Sequence, residues 1–392
     1  MNRRPVAKAR TGALERAAAP SKAWAWLSAA LFGLLLTGCG GGGGGGGGGE
    51  GAVENPAASG PRLQAAQLAL LVAEGDATSE AIALAYQQAR GIPAANIVRL
   101  PVSTASDVIS ATAFAALKAS LDARLSSQIQ ATLVTWSRPS RVQGATCSMG
   151  LTSALAFGYS AAHCFGSDGS CSRTPLSPYF NSASHQPFSD HGMRPSMMLG
   201  AATLADAQAI INRGLAADAS LASGSNASGH AWLLRTSDTE RNVRWPDMQL
   251  LAIANVPGIT MHYVDNSNGG GSNFISGRSN VMFYFTGLAV VPQLASNSWR
   301  PGAVGDSLTS SAGVLPLANG QTPVTAWLQA GATASYGTVE EPCNLTEKFP
   351  SPRVLVTRYQ RGDTLIEAYW KSVQMPGQGL FVGEPLARPW GH

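Results

Sequence analysis

The segment Leu68-Ala-Leu-Leu-Val-Ala-Glu-Gly-Asp-Ala-Thr-Ser-Glu-Ala-Ile-Ala-Leu-Ala-Tyr-Gln-Gln-Ala-Arg-Gly-Ile-Pro-Ala-Ala-Asn-Ile-Val-Arg-Leu100 decides the fold class. Leu68 to Val72 is an uninterrupted apolar run of strand length. From Thr78 to Arg90 the apolar residues Ile82, Ala85, Tyr86 and Ala89 recur on one helical stripe, closed by Gly91 and Pro93. A second strand follows at Asn96 to Leu100. The pattern continues with a helix from about Ser110 to Leu125, strands at Ala131 to Trp136 and Met197 to Gly200, and a helix from Leu204 to Leu215. Later strands are expected at Ala231 to Arg235, Thr260 to Val264, Val281 to Phe285, Ala332 to Tyr336 and Gly379 to Val382. A helix at Thr364 to Val373 takes Asp363 as its expected N-cap, with Glu367 and Lys371 as an i, i+4 pair. Strand alternating with helix predicts an α/β fold built on a mainly parallel, doubly wound sheet.

Between Ser137 and Pro195 the alternation stops. This Ser-, Gly- and Pro-rich stretch is expected to be a stapled insertion over one edge of the sheet. It holds Cys147, Cys164 and Cys171, and Cys343 supplies a fourth cysteine. With four thiols in an oxidising compartment, two disulfides are expected. Of the three pairings, the short Phe-Gly-Ser-Asp-Gly-Ser spacer favours Cys164 with Cys171 and Cys147 with Cys343. A four-thiolate zinc site would want a Cys-x-x-Cys, which is absent.

The chain begins with an address. Arg3, Arg4, Lys8, Arg10, Arg16 and Lys22 precede the apolar stretch Ala23 to Leu36, too short for an ordinary membrane span. Leu36-Thr-Gly-Cys39 resembles the lipobox of bacterial lipoproteins, which implies that residues 1–38 are removed and Cys39 is acylated. Gly40 after the cysteine implies sorting to the outer membrane rather than retention at the inner one. Residues 39–61, with glycine from Gly40 to Gly49, read as a tether, and residues 62–392 as the α/β domain. The net charge of +4 belongs to the signal, which carries six basic residues and one acidic one. The remainder has 21 basic and 22 acidic residues, so nothing argues for nucleic acid as a partner.

In an open parallel sheet, ligands collect beyond the carboxyl ends of the strands. The polar residues expected there are Glu74, Asp76 and Ser79, then Thr236 to Glu240 with Arg241 and Arg244, Thr286, and Glu340 with Glu341. Asp76 and Ser79 stand at a helix start, where capping competes with catalysis. Glu340 and Glu341 could form an acid and base pair, but adjacent residues on extended chain face opposite ways, and an arginine partner for one of them is the simpler expectation. His185 with Asp190-His191 could hold a metal, though the setting suggests a solvated loop. Asn268-Gly-Gly-Gly-Ser272 lacks the Gly-Lys-Ser/Thr of a phosphate loop, and neither Gly-x-Ser-x-Gly nor His-Glu-x-x-His occurs. No cofactor or metal is implied.

Several stretches resemble a family of secreted bacterial proteins that accompany exosortase-type sorting systems. They are Tyr86 to Ile97, Arg194-Pro-Ser-Met-Met-Leu199, Phe283-Tyr-Phe-Thr-Gly287, Arg300 to Ser310, Gly331 to Pro342 and Gly362-Asp-Thr-Leu-Ile-Glu-Ala-Tyr369. The order of strand, polar loop, Gly-Ala strand, helix and Val382-Gly-Glu-Pro-Leu386 is similar to the second half of gingipain-like cysteine peptidases of the caspase-haemoglobinase fold. Those enzymes carry His-Gly after one central strand and a nucleophilic Cys after the next. The corresponding stretches here are Thr286-Gly287-Leu288 and Leu308-Thr-Ser-Ser-Ala-Gly313, and neither dyad member is present. Ser310 or Ser311 would need a base, and the only histidine from Val281 onward is His392. Where relatives commonly have a histidine, this chain has Ser307. The lipobox, together with a retained scaffold that lacks the dyad, implies a lipid-anchored binding domain that meets a protein or peptide partner at the envelope. Two alternatives stay open. One is a hydrolase with a rearranged site drawn from Asp76, Asp306, Thr309, Ser310 and Glu340, and the other is a structural envelope scaffold.

Overall fold

The computed structural model describes residues 62–226 and 228–391, which lie within one unit spanning Asn55–His392. The signal, Cys39, the tether and His392 lie outside the described residues. The elements in chain order begin with β1 (Leu68–Ala73), α1 (Ala77–Arg90), β2 (Ile97–Leu100), β3 (Val108–Ser110), α2 (Ala111–Asp122) and β4 (Ala131–Val134). Then come β5 (Arg141–Gln143), β6 (Ser148–Gly150), α3 (Leu151–Phe157), α4 (Pro187–His191), β7 (Ser196–Met198), α5 (Leu204–Ala217) and β8 (Gly229–Arg235). The series ends with α6 (Trp245–Ala252), β9 (Ile259–Asp265), β10 (Val281–Thr286), β11 (Trp299–Ser307), α7 (Val324–Ala330), β12 (Ala334–Thr338), α8 (Pro352–Gln360), α9 (Leu365–Trp370) and β13 (Gly379–Gly383).

Ten strands form one sheet in the order β2-β1-β4-β7-β13-β12-β11-β10-β8-β9. Pairing is parallel from β2 through β7 and from β9 through β12, and β13 runs antiparallel to β12. The fold is therefore the expected mainly parallel α/β sheet, and the chain changes direction across it at β1 and again at β8. Strands such as β1 and β10, buried on both sides, are apolar or nearly so, as such sheets require, whereas β11 and β12 bury Asp306, Ser307, Ser335 and Thr338. Along β10, Phe283 packs toward Tyr359 and Trp390 while Tyr284 packs toward Trp299 and Trp327.

Three expectations need correction. The insertion does not cover an edge. Its helix α3 sits at the centre of the sheet, where Ser153 donates to Gly379 O at 2.8 Å and Phe381 N donates to Thr152 Oγ1 at 3.1 Å, both on β13. It also contributes β5 and β6 to a small sheet ordered β3-β5-β6.

The disulfides join Cys147 to Cys164 and Cys171 to Cys343, with Cα separations of 5.9 and 5.2 Å. A short spacer makes closure easy only if the two side chains face each other. Here Gly166 and Gly169 pair through their backbones and turn the chain, leaving Cys164 buried beside Cys147 and Cys171 exposed.

Helix α9 is capped by Thr364, not Asp363: Glu367 accepts from the Thr364 amide at 2.9 Å, closing a capping box. Lys371 donates to Asp363 at 2.8 Å rather than pairing with Glu367.

Strand β11 was not legible as one because Arg-Pro-Gly-Ala-Val-Gly has low strand propensity. Its glycine has a packing reason: a Cβ on Gly305 would lie 2.5 Å from the Trp327 ring.

Candidate functional site

The two stretches matched to the peptidase dyad lie at the carboxyl ends of the adjacent parallel strands β10 and β11. Thr286 ends β10, and its carbonyl accepts from Arg244 Nη2 at 2.9 Å. Gly287 admits no side chain, since a Cβ would meet Arg241 O at 1.9 Å. On β11, Asp306 is buried and its Oδ1 lies 2.6 Å from Arg244 Nη2. Burial pushes the Asp306 carboxyl above the usual range, against the pull of Arg244, and the same burial raises the Tyr369 hydroxyl beside it. Arg244 also donates to Pro350 O at 3.1 Å. Ser307 Oγ accepts from Leu288 N and donates to Leu288 O, each at 2.8 Å, which ties the two strand ends together.

The segment after β11 is held in the same way. Thr309 Oγ1 donates to Gln321 Oε1 at 2.8 Å and accepts from Arg241 Nε at 3.2 Å, while Arg241 pairs with Asp238 at 3.1 Å. Ser310 offers its carbonyl to Thr338 Oγ1 at 2.8 Å, and its half-buried hydroxyl has no base against it among the described residues. Glu340 accepts the Ser148 amide at 2.8 Å, so its partner is the backbone of β6 rather than an arginine, and Glu341 accepts from Cys343 N at 2.8 Å. The two carboxylates thus serve different segments, as extended chain requires. All four cysteines among the described residues are in disulfides, so no free thiol stands near this site.

Asp76 is a cap on another strand end. It accepts from Thr104 Oγ1 at 2.6 Å and from Ser79 N at 2.8 Å, and these bonds hold its carboxyl below the usual range. Ser79 Oγ lies 2.7 Å from Thr135 Oγ1. The loop at Asn268 satisfies itself, with Gly270 N donating to Asn268 Oδ1 at 3.1 Å. His185 is not in a solvated loop. It is buried, with Nδ1 2.7 Å from Glu367 Oε1 and 3.8 Å from Asp363 Oδ1, and so pins the insertion to α9. Despite burial, the His185 hydrogen bond and the nearby Lys371 hold Glu367 below its usual range. Asp190 and His191 point elsewhere, to Ser184 and Ser182. Among the described residues no group of three or more His, Cys, Asp or Glu is placed to hold a metal ion.

A second region differs. A cleft of about 540 Å³ is lined by Ser137 and Arg138 after β4, Gly200 and Ala202 after β7, Leu315 and Pro316 after β11, and by α5 and α7. It contains none of Asp76, Asp306, Ser310 and Glu340. No sequence signal singled out its arginines, because Arg138 and Arg213 are far apart in the chain and belong to no motif.

No protein-family model, curated protein or solved structure matches this chain.

Proposed function

We propose that this chain is a lipid-anchored envelope protein whose α/β domain binds a protein or peptide partner and does not catalyse a reaction. One observation carries the reading. At the two strand ends where gingipain-like enzymes keep their dyad, Asp306 is engaged by Arg244, Ser307 by Leu288 and Thr309 by Arg241 and Gln321. A nucleophile must be activated by a base within hydrogen-bond reach and must meet its substrate, and here the buried groups serve the fold instead. Anchoring through Cys39 at the outer membrane, with residues 40–61 as a tether whose root-mean-square span as a flexible coil is about 25 Å, would hold such a domain clear of the lipid. Disulfides are compatible with that compartment.

The test combines two readouts on the full chain. An acyloxymethyl ketone probe should leave the protein unlabelled, and Ser310→Ala should change neither peptide turnover nor melting temperature by a measurable amount. Stoichiometric labelling, or a purified peptidase activity that vanishes in Ser310→Ala while the fold persists, would favour the hydrolase reading and remove this one.

A further inference from the structure

Among the described residues, several buried charged side chains have a counter-charge. Arg90 has Glu384 and Asp218, Arg244 has Asp306, and Lys371 has Asp363. Arg213 on α5 does not. Its Nη2 donates to a backbone carbonyl, Leu328 O, at 3.0 Å, and its Nε is buried without a hydrogen-bond partner. No carboxylate pairs with it among the described residues, and burial alone acts on its guanidinium, in the direction that disfavours the charge. A half-buried guanidinium that keeps its charge without a counter-ion is a standing cost to the fold, and an anion in the adjoining space relieves it.

That space is the cleft between α5 and α7. Arg138 adds a second positive charge on its wall, half exposed and only loosely paired with Asp107 at 3.7 Å. The one carboxylate on the wall, Asp206, is engaged by the Thr203 hydroxyl at 2.7 Å. Ile210, Leu315 and Leu328 supply apolar surface, while Ser137, Thr325 and Gln329 supply groups that can pair with amides. The volume suits a few residues rather than a folded partner.

We propose that this cleft captures the C-terminal carboxylate of a peptide, with Arg213 and Arg138 as the positive pole and an apolar last side chain against Ile210 and Leu328. The proposal rests on the reading of the domain as a binder and gives that reading a ligand class. A guanidinium fork matches a carboxylate in two parallel bonds, and the neighbouring polar groups favour a peptide over a bare fatty acid.

The experiment uses the full chain and a pool of N-acetyl tripeptides ending in Ala, Val, Leu or Phe, as free acids and as C-terminal amides, with octanoate as a third probe. Ligand-observed NMR should show saturable binding of the acids and at least about tenfold weaker binding of the amides. Arg213→Met should bring the acids down to the level of the amides, and Arg138→Met should weaken them by about threefold, each with an unchanged melting profile. Equal binding of acids and amides, no saturable binding of the acids up to about 10 mM, or octanoate binding as tightly as the acids overturns the assignment. Mass spectrometry of the same samples reads the underlying premise separately, because shortened peptides would mean catalysis whatever the affinities.

Discussion

The carboxyl ends of β10 and β11 and the cleft between α5 and α7 are built from similar parts and use them in opposite ways. At the strand ends Arg244 is buried and meets Asp306, Thr286 O and Pro350 O. In the cleft Arg213 meets one carbonyl, leaves its Nε unpaired and borders about 540 Å³ of open space. In low dielectric a buried ion pair is costly to break and a buried charge without a counter-ion is costly to keep, so the first region reads as a clamp and the second as a place with room for a ligand. Position at a strand end is therefore not enough to mark a site. What distinguishes the two is a counter-charge supplied from within the chain, since Nε is left without a hydrogen-bond partner in Arg244 as in Arg213.

The largest expected effect is at the clamp. Arg244→Met leaves the Asp306 carboxylate buried and without its cation, and should lower unfolding stability by about 3–5 kcal/mol, read as a shift in the urea midpoint. The double variant Arg244→Met/Asp306→Leu should recover much of that loss, because the stranded charge is the main penalty. If the single variant costs under about 1 kcal/mol, the pair is not the clamp described and the contrast between the two regions fails.

How much of this was legible in the sequence follows from what local patterns can encode. Apolar runs such as Leu68 to Val72 and Val281 to Phe285 fix strands because a central parallel strand must be apolar on both faces, and the structure has β1 and β10 at those places. Asp76 as a cap was also legible, since the helix start and its free amides are local. The Arg244–Asp306 and His185–Glu367 contacts were not, because nothing in either local sequence specifies a partner so far along the chain. Arg213 was invisible for the same reason in reverse: its importance lies in a missing partner. The disulfide pairing failed because spacer length says nothing about which way a cysteine side chain points.

A pH titration extends the contrast to a third buried cation, whose ammonium donates to Ser170 O. Lys348 is fully buried, and its backbone carbonyl accepts from Tyr336 at 2.7 Å. Burial pushes its ammonium down to about 8 from 10.5, with Glu341 and Glu347 opposing. Between those two values the unfolded chain holds the proton more often than the folded one, so stability should rise with pH across that window. Below it both states are protonated and the cost is present in full. Lys348→Met should flatten the slope and raise stability near pH 7 by about 1–3 kcal/mol. A slope that persists in the variant would assign it to other groups. Buried tyrosines such as Tyr369, raised well above 10.0, act in the opposite sense only above pH 10.

The smallest effect is expected in the cleft, and its smallness is the point. Arg213→Met removes a bond to Leu328 O, which also accepts from Gly331 N at 3.1 Å and so remains satisfied. Against that loss stands relief from holding an uncompensated charge half buried, while the methionine stem keeps the apolar contacts of the arginine stem. The two terms are of similar size and opposite sign, so the urea midpoint should move by less than the equivalent of about 1 kcal/mol in either direction. A loss of about 3 kcal/mol, comparable to Arg244→Met, would mean that Arg213 is another internal clamp, and the cleft would lose its distinguishing feature. A small shift would show a half-buried arginine beside open space, without a counter-charge, that adds little to stability, which is the physical ground for looking to a ligand for its use.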